Sequence, residues 1–178
     1  MAQLETERLI LRQWELRDQQ PLIEMSADPE VMRFFPSVLD EKGALALYQR
    51  LYDLIAEEGY GFWALELKST GQTIGFTGLR LIRTGIPGAP FVEVGWRLAQ
   101  PFWGFGYATE AGQASLDYAF NELEEQAIYA FTSLDNQPSR RVMNRLGMHD
   151  TGEEFDHPAI EEGHPLARQC LYKINRPA

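Results

Sequence analysis

The residues best placed to do chemistry lie in one short run, Trp103-Gly104-Phe105-Gly106-Tyr107-Ala108-Thr109-Glu110-Ala111. Small residues at 104, 106 and 108 let backbone N–H groups approach an anion with no large side chain in the way. A strand-like stretch, Phe91 to Leu98, precedes the run, and a helical pattern reaching about Glu122 follows it. A strand, a tight glycine turn and a helix N-terminus form an anion site, because unpaired amides point outward and the helix dipole adds partial positive charge. The chemistry this suggests is the cradling of a pyrophosphate. No Gly-Lys-Ser/Thr follows, so it is not the phosphate loop of nucleotide hydrolases. The third glycine of a dinucleotide fingerprint is also missing, with Thr109 in its place.

Two further groups carry polar chemistry. Asn136-Gln137-Pro138-Ser139-Arg140-Arg141 opens a helical pattern that Gly147 closes. It reads either as plain helix architecture, with Asn136 as N-cap and Pro138 in the first turn, or as a polar cap beside a ligand. Near the end, Asp150, Glu153, Glu154, Asp156, Glu161 and Glu162 occur among His149, His157 and His164. These lack the usual spacing of metal ligands, so no metal site is expected. They read as a solvated loop, or as a wall on the acceptor side built with Phe155-Asp156-His157-Pro158. Phe34-Phe35-Pro36 would face that wall; Trp14 reads better as core.

The elements that must hold these groups follow from periodicity. Leu4 to Trp14 predicts a strand. Glu15 to Ala27 predicts a helix with Leu16, Gln20, Ile23 and Ala27 on one side. Asp40 to Glu58 predicts a second helix, with Leu45, Tyr48, Leu51, Tyr52 and Ile55 at helical spacing and Gly59 ending it. Tyr60 to Leu67 and Gln72 to Ile82 predict a hairpin, with Phe91 to Leu98 as the third strand of a meander. After the glycine turn and its helix come a strand at Ala127 to Ser133 and a helix at Asn136 to Leu146. Strands at Met148 to Phe155 and Arg168 to Ile174 end the chain. The order is that of one α/β domain, residues 1–178, around a mixed sheet. Two successive β-α units, one with a glycine cradle and one with a polar cap, place one cleft at their strand ends.

Composition narrows the partners. The chain has 178 residues, 44% hydrophobic and 24% charged, enough for one buried core. No apolar run approaches the length of a membrane span, and residues 1–7 do not read as a signal peptide, so a cytoplasmic protein with no membrane contact is expected. Cys170 is the single cysteine and reads as a small core residue. A net charge of −10 argues against nucleic acid, whose phosphates need a basic surface. It also means that an anionic ligand must be held by local donors, whereas a cationic acceptor would be attracted.

Four ordered stretches resemble the GNAT N-acetyltransferases, in the branch that includes the ribosomal-protein N-terminal acetyltransferases. They are Glu5-Thr6-Glu7-Arg8-Leu9-Ile10-Leu11-Arg12, Glu93-Val94-Gly95-Trp96-Arg97-Leu98, the glycine turn, and the helix from Asn136 to Met148. The family's Arg/Gln-x-x-Gly-x-Gly/Ala signature falls on Trp103, Gly106 and Ala108, with Trp in place of the usual polar residue.

The resemblance implies a GNAT fold: one domain with a mixed, mostly antiparallel sheet whose two central parallel strands splay to hold acyl-CoA. It implies acetyl-CoA as donor and no metal. Pyrophosphate would lie on the amides of Phe105, Gly106, Tyr107, Ala108 and Thr109, with Trp103 and Gly104 also among the cofactor-binding residues. Pantetheine would run along Val94, Trp96 and Leu98, with Asn136 and Ser139 beside it and Arg140 or Arg141 reaching the phosphates. An amine would attack the thioester directly, with Glu93 as candidate base and Ser139 as candidate acid toward the thiolate. Each has a plainer alternative, an exposed strand Glu and a first-turn Ser. The acceptor would be a protein N-terminus or a small amine; a non-catalytic acyl-CoA-binding module is the remaining alternative. The protein would be a monomer or a homodimer.

Overall fold

The computed structural model describes residues 2–178. Eight strands form one sheet in the order β1-β2-β3-β4-β5-β6-β8-β7. They are β1 (Leu4–Glu5), β2 (Leu9–Arg12), β3 (Phe62–Leu67), β4 (Gln72–Ile82), β5 (Phe91–Leu98), β6 (Ala127–Ser133), β7 (His149–Asp156) and β8 (Arg168–Asn175). The helices are α1 (Gln19–Ala27), α2 (Glu41–Glu58), α3 (Tyr107–Asn121) and α4 (Gln137–Arg145). Every neighbouring pair is antiparallel except β5 and β6. Those two meet only at Val92–Ile128 and Glu93–Tyr129. Beyond Glu93 they part: β5 continues along β4 to Leu98, and β6 continues along β8 to Ser133. The mixed sheet with two diverging parallel strands is the architecture that the resemblance implied.

Strand alternation sorts the helices onto two faces. Trp63 meets Tyr118 of α3 edge-on at 5.5 Å, and Arg140 of α4 bonds to the Tyr172 hydroxyl of β8. Trp63, Val92, Val94, Ile128 and Tyr172 share that face by register. Phe76 points the other way and packs on Trp14, whose ring also meets Tyr48 of α2. So α3 and α4 cover one face and α1 and α2 the other. Gly112 of α3 is where a Cβ would come within 2.9 Å of Leu146, so the absence of a side chain there lets α3 and the end of α4 close up. Trp14 and Cys170 are each 2% exposed and belong to the core. No helix among the described residues is long and apolar enough to cross a membrane.

Two sequence expectations need correction. The single strand predicted from Leu4 to Trp14 is a tight hairpin, with Leu4 paired to Leu11 and Glu5 to Ile10. The Thr6 hydroxyl oxygen accepts from the Leu9 amide and breaks the run. The first helix opens as a short 3-10 turn, Leu16–Asp18, and α1 buries Leu22, Met25 and Ser26 rather than the predicted side. Leu16 is 79% exposed. The cause is Asp18, whose carboxylate is drawn fully inside by Arg12 at 2.8 Å and so fixes the turn's rotation. In α2 the buried line is Ala44, Tyr48, Leu51 and Ile55, with Asp40 capping the N-terminus through the Gly43 amide.

Candidate active site

The glycine turn lies at the C-terminal end of β5, at the mouth of the gap between β5 and β6. Gly104 and Gly106 adopt left-handed backbone, φ 82° and 83°, and Gly106 is the N-cap of α3. The first bond of α3 runs from the Glu110 amide to the Gly106 carbonyl. None of the amides from Gly104 to Thr109 donates to an acceptor among the described residues. Six unclaimed N–H groups at the positive end of a fifteen-residue helix make a strong anion cradle. The Trp103 indole donates to the Leu98 carbonyl at 2.8 Å, so it ties the turn to the end of β5. Phe105, 56% exposed, stacks on Tyr107.

The structure adds a support that periodicity did not reveal. Arg8 reaches over the turn from the β1–β2 hairpin: Nη1 donates to the Phe105 carbonyl, and Nε donates to Glu110 at 2.7 Å. Its guanidinium lies 4.5 Å above the Tyr107 ring. Glu110 also accepts from the Arg8 amide and the Thr6 hydroxyl. These bonds, with burial opposing them, hold the Glu110 carboxyl below its ordinary range. Both residues stood in motifs singled out in the sequence, but nothing in one sequence pairs positions so far apart.

Beyond Glu93, β5 has no partner on its β6 side. Alternate residues of a strand turn their N–H and C=O groups to opposite edges, so part of the Val94–Leu98 backbone faces the gap. Val94 is buried, Trp96 half-buried and Leu98 buried along this stretch.

Glu93 sits at the last rung before the strands part. It is 5% exposed, and Arg80, its partner across β4, holds it at 2.6 Å. Burial raises its carboxyl to about 7, against the pull of Arg80. A buried carboxylate with this value can take a proton near neutral pH. It is not an exposed strand Glu.

The residues around α4 divide. The Asn136 side chain accepts from the Ser139 amide and donates to the Thr132 hydroxyl, so it serves as the N-cap and braces β6. Arg140 is committed elsewhere: it donates to the Tyr172 hydroxyl, the Leu134 carbonyl and Asp150. Arg141 is exposed. The Ser139 hydroxyl makes no hydrogen bond among the described residues. Glu93 is level with Tyr129, whereas Ser139 follows the end of β6.

The acid-rich segment is an exposed edge strand rather than a loop over its first part. Residues His149–Asp156 form β7, and Phe155 is buried with Ile86, Phe91 and Leu171. Asp150 pairs with Arg140, and Glu154 and Asp156 pair with Arg168, which reduces the negative field they present. His157 and Pro158 do line a 330 Å³ cavity with Arg80, Ile82, Ile86 and Phe131. Burial, then the charge of Arg80, holds the His157 imidazole below its ordinary value. No group of three or more His, Cys, Asp or Glu among the described residues converges as a metal site.

Comparison with known proteins agrees with this geometry. The acetyltransferase (GNAT) domain matches residues 8–149. The chain is 31% identical over 170 residues to YnaD of Bacillus subtilis, described as an uncharacterized N-acetyltransferase, covering 95% of this chain and 94% of YnaD. It superimposes on a GNAT-family acetyltransferase from Bacillus anthracis with a TM-score of 0.82 at 26% identity, covering 98% and 99% of the two chains. It shares the fold of a ribosomal-protein-S5-alanine acetyltransferase from Vibrio fischeri, with a TM-score of 0.72 at 17% identity and coverage of 99% and 97%.

Proposed function

Since the chain belongs to the GNAT acetyltransferase family, we propose that it moves acetyl from acetyl-CoA to a primary amine by direct attack. The observation that carries this reading is the placing of Glu93 where β5 and β6 begin to part, buried so that its carboxyl is raised to about 7. Acetyl-CoA would supply an acyl group activated as a thioester. The amides from Gly104 to Thr109 would hold its pyrophosphate, with Trp103 and Arg8 fixing the turn from either side. Val94, Trp96 and Leu98 would offer the edge of β5 to the pantetheine, and Asn136 would keep the opposite strand in place. Of the paired arginines in the first turns of α4, Arg141 would be the one to reach phosphate, since Arg140 is committed elsewhere.

Glu93 would take a proton from the incoming ammonium, directly or through one water, leaving a neutral nucleophile. Ser139 would act on a different atom, donating toward the departing sulfur. Alignment in the cleft supplies much of the rate, as it does wherever two substrates are held together. The acceptor is a peptide N-terminus or a small amine. A screen of short peptides and small amines for acetyl-CoA-dependent thiol release tests the reading. CoA binding by calorimetry without thiol release from any amine would leave a non-catalytic acyl-CoA-binding module. No CoA binding would end the reading altogether.

A further inference from the structure

One cation beside the cleft has nothing to pair with among the described residues. Glu93, Gly95 and Arg97 alternate along β5 and so share one face, opposite Arg80, Gly78 and Phe76 of β4. The Arg97 guanidinium lies 4.3 Å from the centre of the Phe35 ring and 5.0 Å from that of Phe76. Its Nε and Nη1 are sealed from solvent and bond to nothing among the described residues. Among the described residues no carboxylate reaches it, whereas Arg80 on the same face is paired with Glu93. Burial alone lowers it to about 10.

Buried donors without acceptors cost stability, and a planar guanidinium between two rings still presents its edge. Nη2 is not sealed, and it can donate a charge-assisted bond to a carboxylate. Between Arg97 and Glu93 the strand carries only Gly95, and the Phe62 ring packs over it. Gly95 has no side chain, and the Phe62 ring would come within 3.0 Å of a Cβ built there. The Cα atoms of Glu93 and Arg97 lie ~13 Å apart at ~3.3 Å per residue, one on either side of that ring. A polyamine would bring like charge against Arg97, so the face does not suit a polycation.

We propose that Arg97 receives a carboxylate of the acceptor, so that the acetylated amine belongs to an amino acid or short peptide bearing an acid near its amino group. This rests on the acetyl-transfer reading above. The carboxylate can be a free C-terminus or an acidic side chain.

The test uses the whole protein and matched acceptor pairs. Free amino acids against their amides report the C-terminal source. The dipeptide amides Ala-Asp-NH2 against Ala-Asn-NH2 report the side-chain source. Thiol release is measured with the wild type, Arg97→Met and Arg97→Lys. In at least one pair the wild type should prefer the carboxylate by about 10- to 100-fold in kcat/KM, the range of one charge-assisted hydrogen bond. Arg97→Met should bring that ratio to within about twofold, and Arg97→Lys should keep part of it. Arg97→Met should also resist urea better than the wild type, since it removes an unpaired buried charge. Equal turnover within both pairs, or a preference that survives in Arg97→Met, would overturn the proposal and leave acetyl transfer standing. Calorimetry of N-acetyl amino acids and their amides in the presence of CoA reads the same ratio without turnover. Carboxylate binding through Arg97 with no thiol release would uphold Arg97 and remove the transfer reading instead.

Discussion

Replacing Glu93 by Gln keeps the side chain's volume and removes its proton-accepting oxygen. Burial lifts the Glu93 carboxyl from 4.5 to about 7. Wild-type kcat/KM should therefore climb as pH rises through about 7 and then level. On that plateau Glu93→Gln should run ~10²-fold slower, the low end for loss of a general base, and its acid limb should vanish. Acceptors whose amines titrate at different pH separate this limb from their own, because the Glu93 limb stays put. The same shift has a consequence for stability. Between 4.5 and about 7 the folded protein holds a proton that the unfolded chain has released, so stability falls as pH rises. At about 1.4 kcal/mol per pH unit over that window, this one group costs the wild type ~3 kcal/mol between pH 4 and pH 8. Urea unfolding at both pH values should show a fall about that much smaller in Glu93→Gln than in the wild type. Unchanged turnover by Glu93→Gln would refute the base role. An identical pH dependence of unfolding in the two proteins would refute the buried-carboxyl argument itself.

Three further outcomes follow from the donor side of the cleft. Arg8→Ala should weaken CoA binding by roughly tenfold in calorimetry yet lower stability by less than ~1 kcal/mol, because its partly exposed ion pair contributes little to the fold. Gly106→Ala should cost ~1–2 kcal/mol in urea unfolding, since a Cβ is strained at φ 83° although Arg8, at 3.6 Å, is its nearest neighbour. Ser139→Ala should lower single-turnover thiol release by roughly tenfold without changing CoA affinity if the hydroxyl assists the leaving sulfur; equal rates would leave Ser139 a plain first-turn residue of α4.

Local pattern located the elements that carry the cleft. β4, β5 and β6 run over the residues that alternation marked, and the Asp40 and Gly59 boundaries of α2 follow from capping chemistry. The misreadings arose where a distant partner overrode the local signal. Arg12 pulls Asp18 inward and turns the first helix, and the Thr6 hydroxyl folds the opening strand back on itself. The setting of Arg97 is not legible in the sequence, because it depends on Phe35, which the chain brings from the segment between α1 and α2. One signal was available: Glu93, Gly95 and Arg97 at period two place an acid, a gap and a base on one face of one strand. The Arg8–Glu110 pair left no comparable trace.

That pair also governs when the donor turn can become competent. Arg8 and Glu110 are 102 residues apart in the chain, and their bonds cross from the first hairpin to the first turn of α3. On a ribosome the β1–β2 hairpin is made early but has no carboxylate to meet until α3 has emerged. Closing so long a loop is entropically costly and comes late in folding. The opening residues of the chain therefore act as a clasp that fastens only after β3, β4 and β5 exist, and the turn that grips the donor gains its brace at that moment.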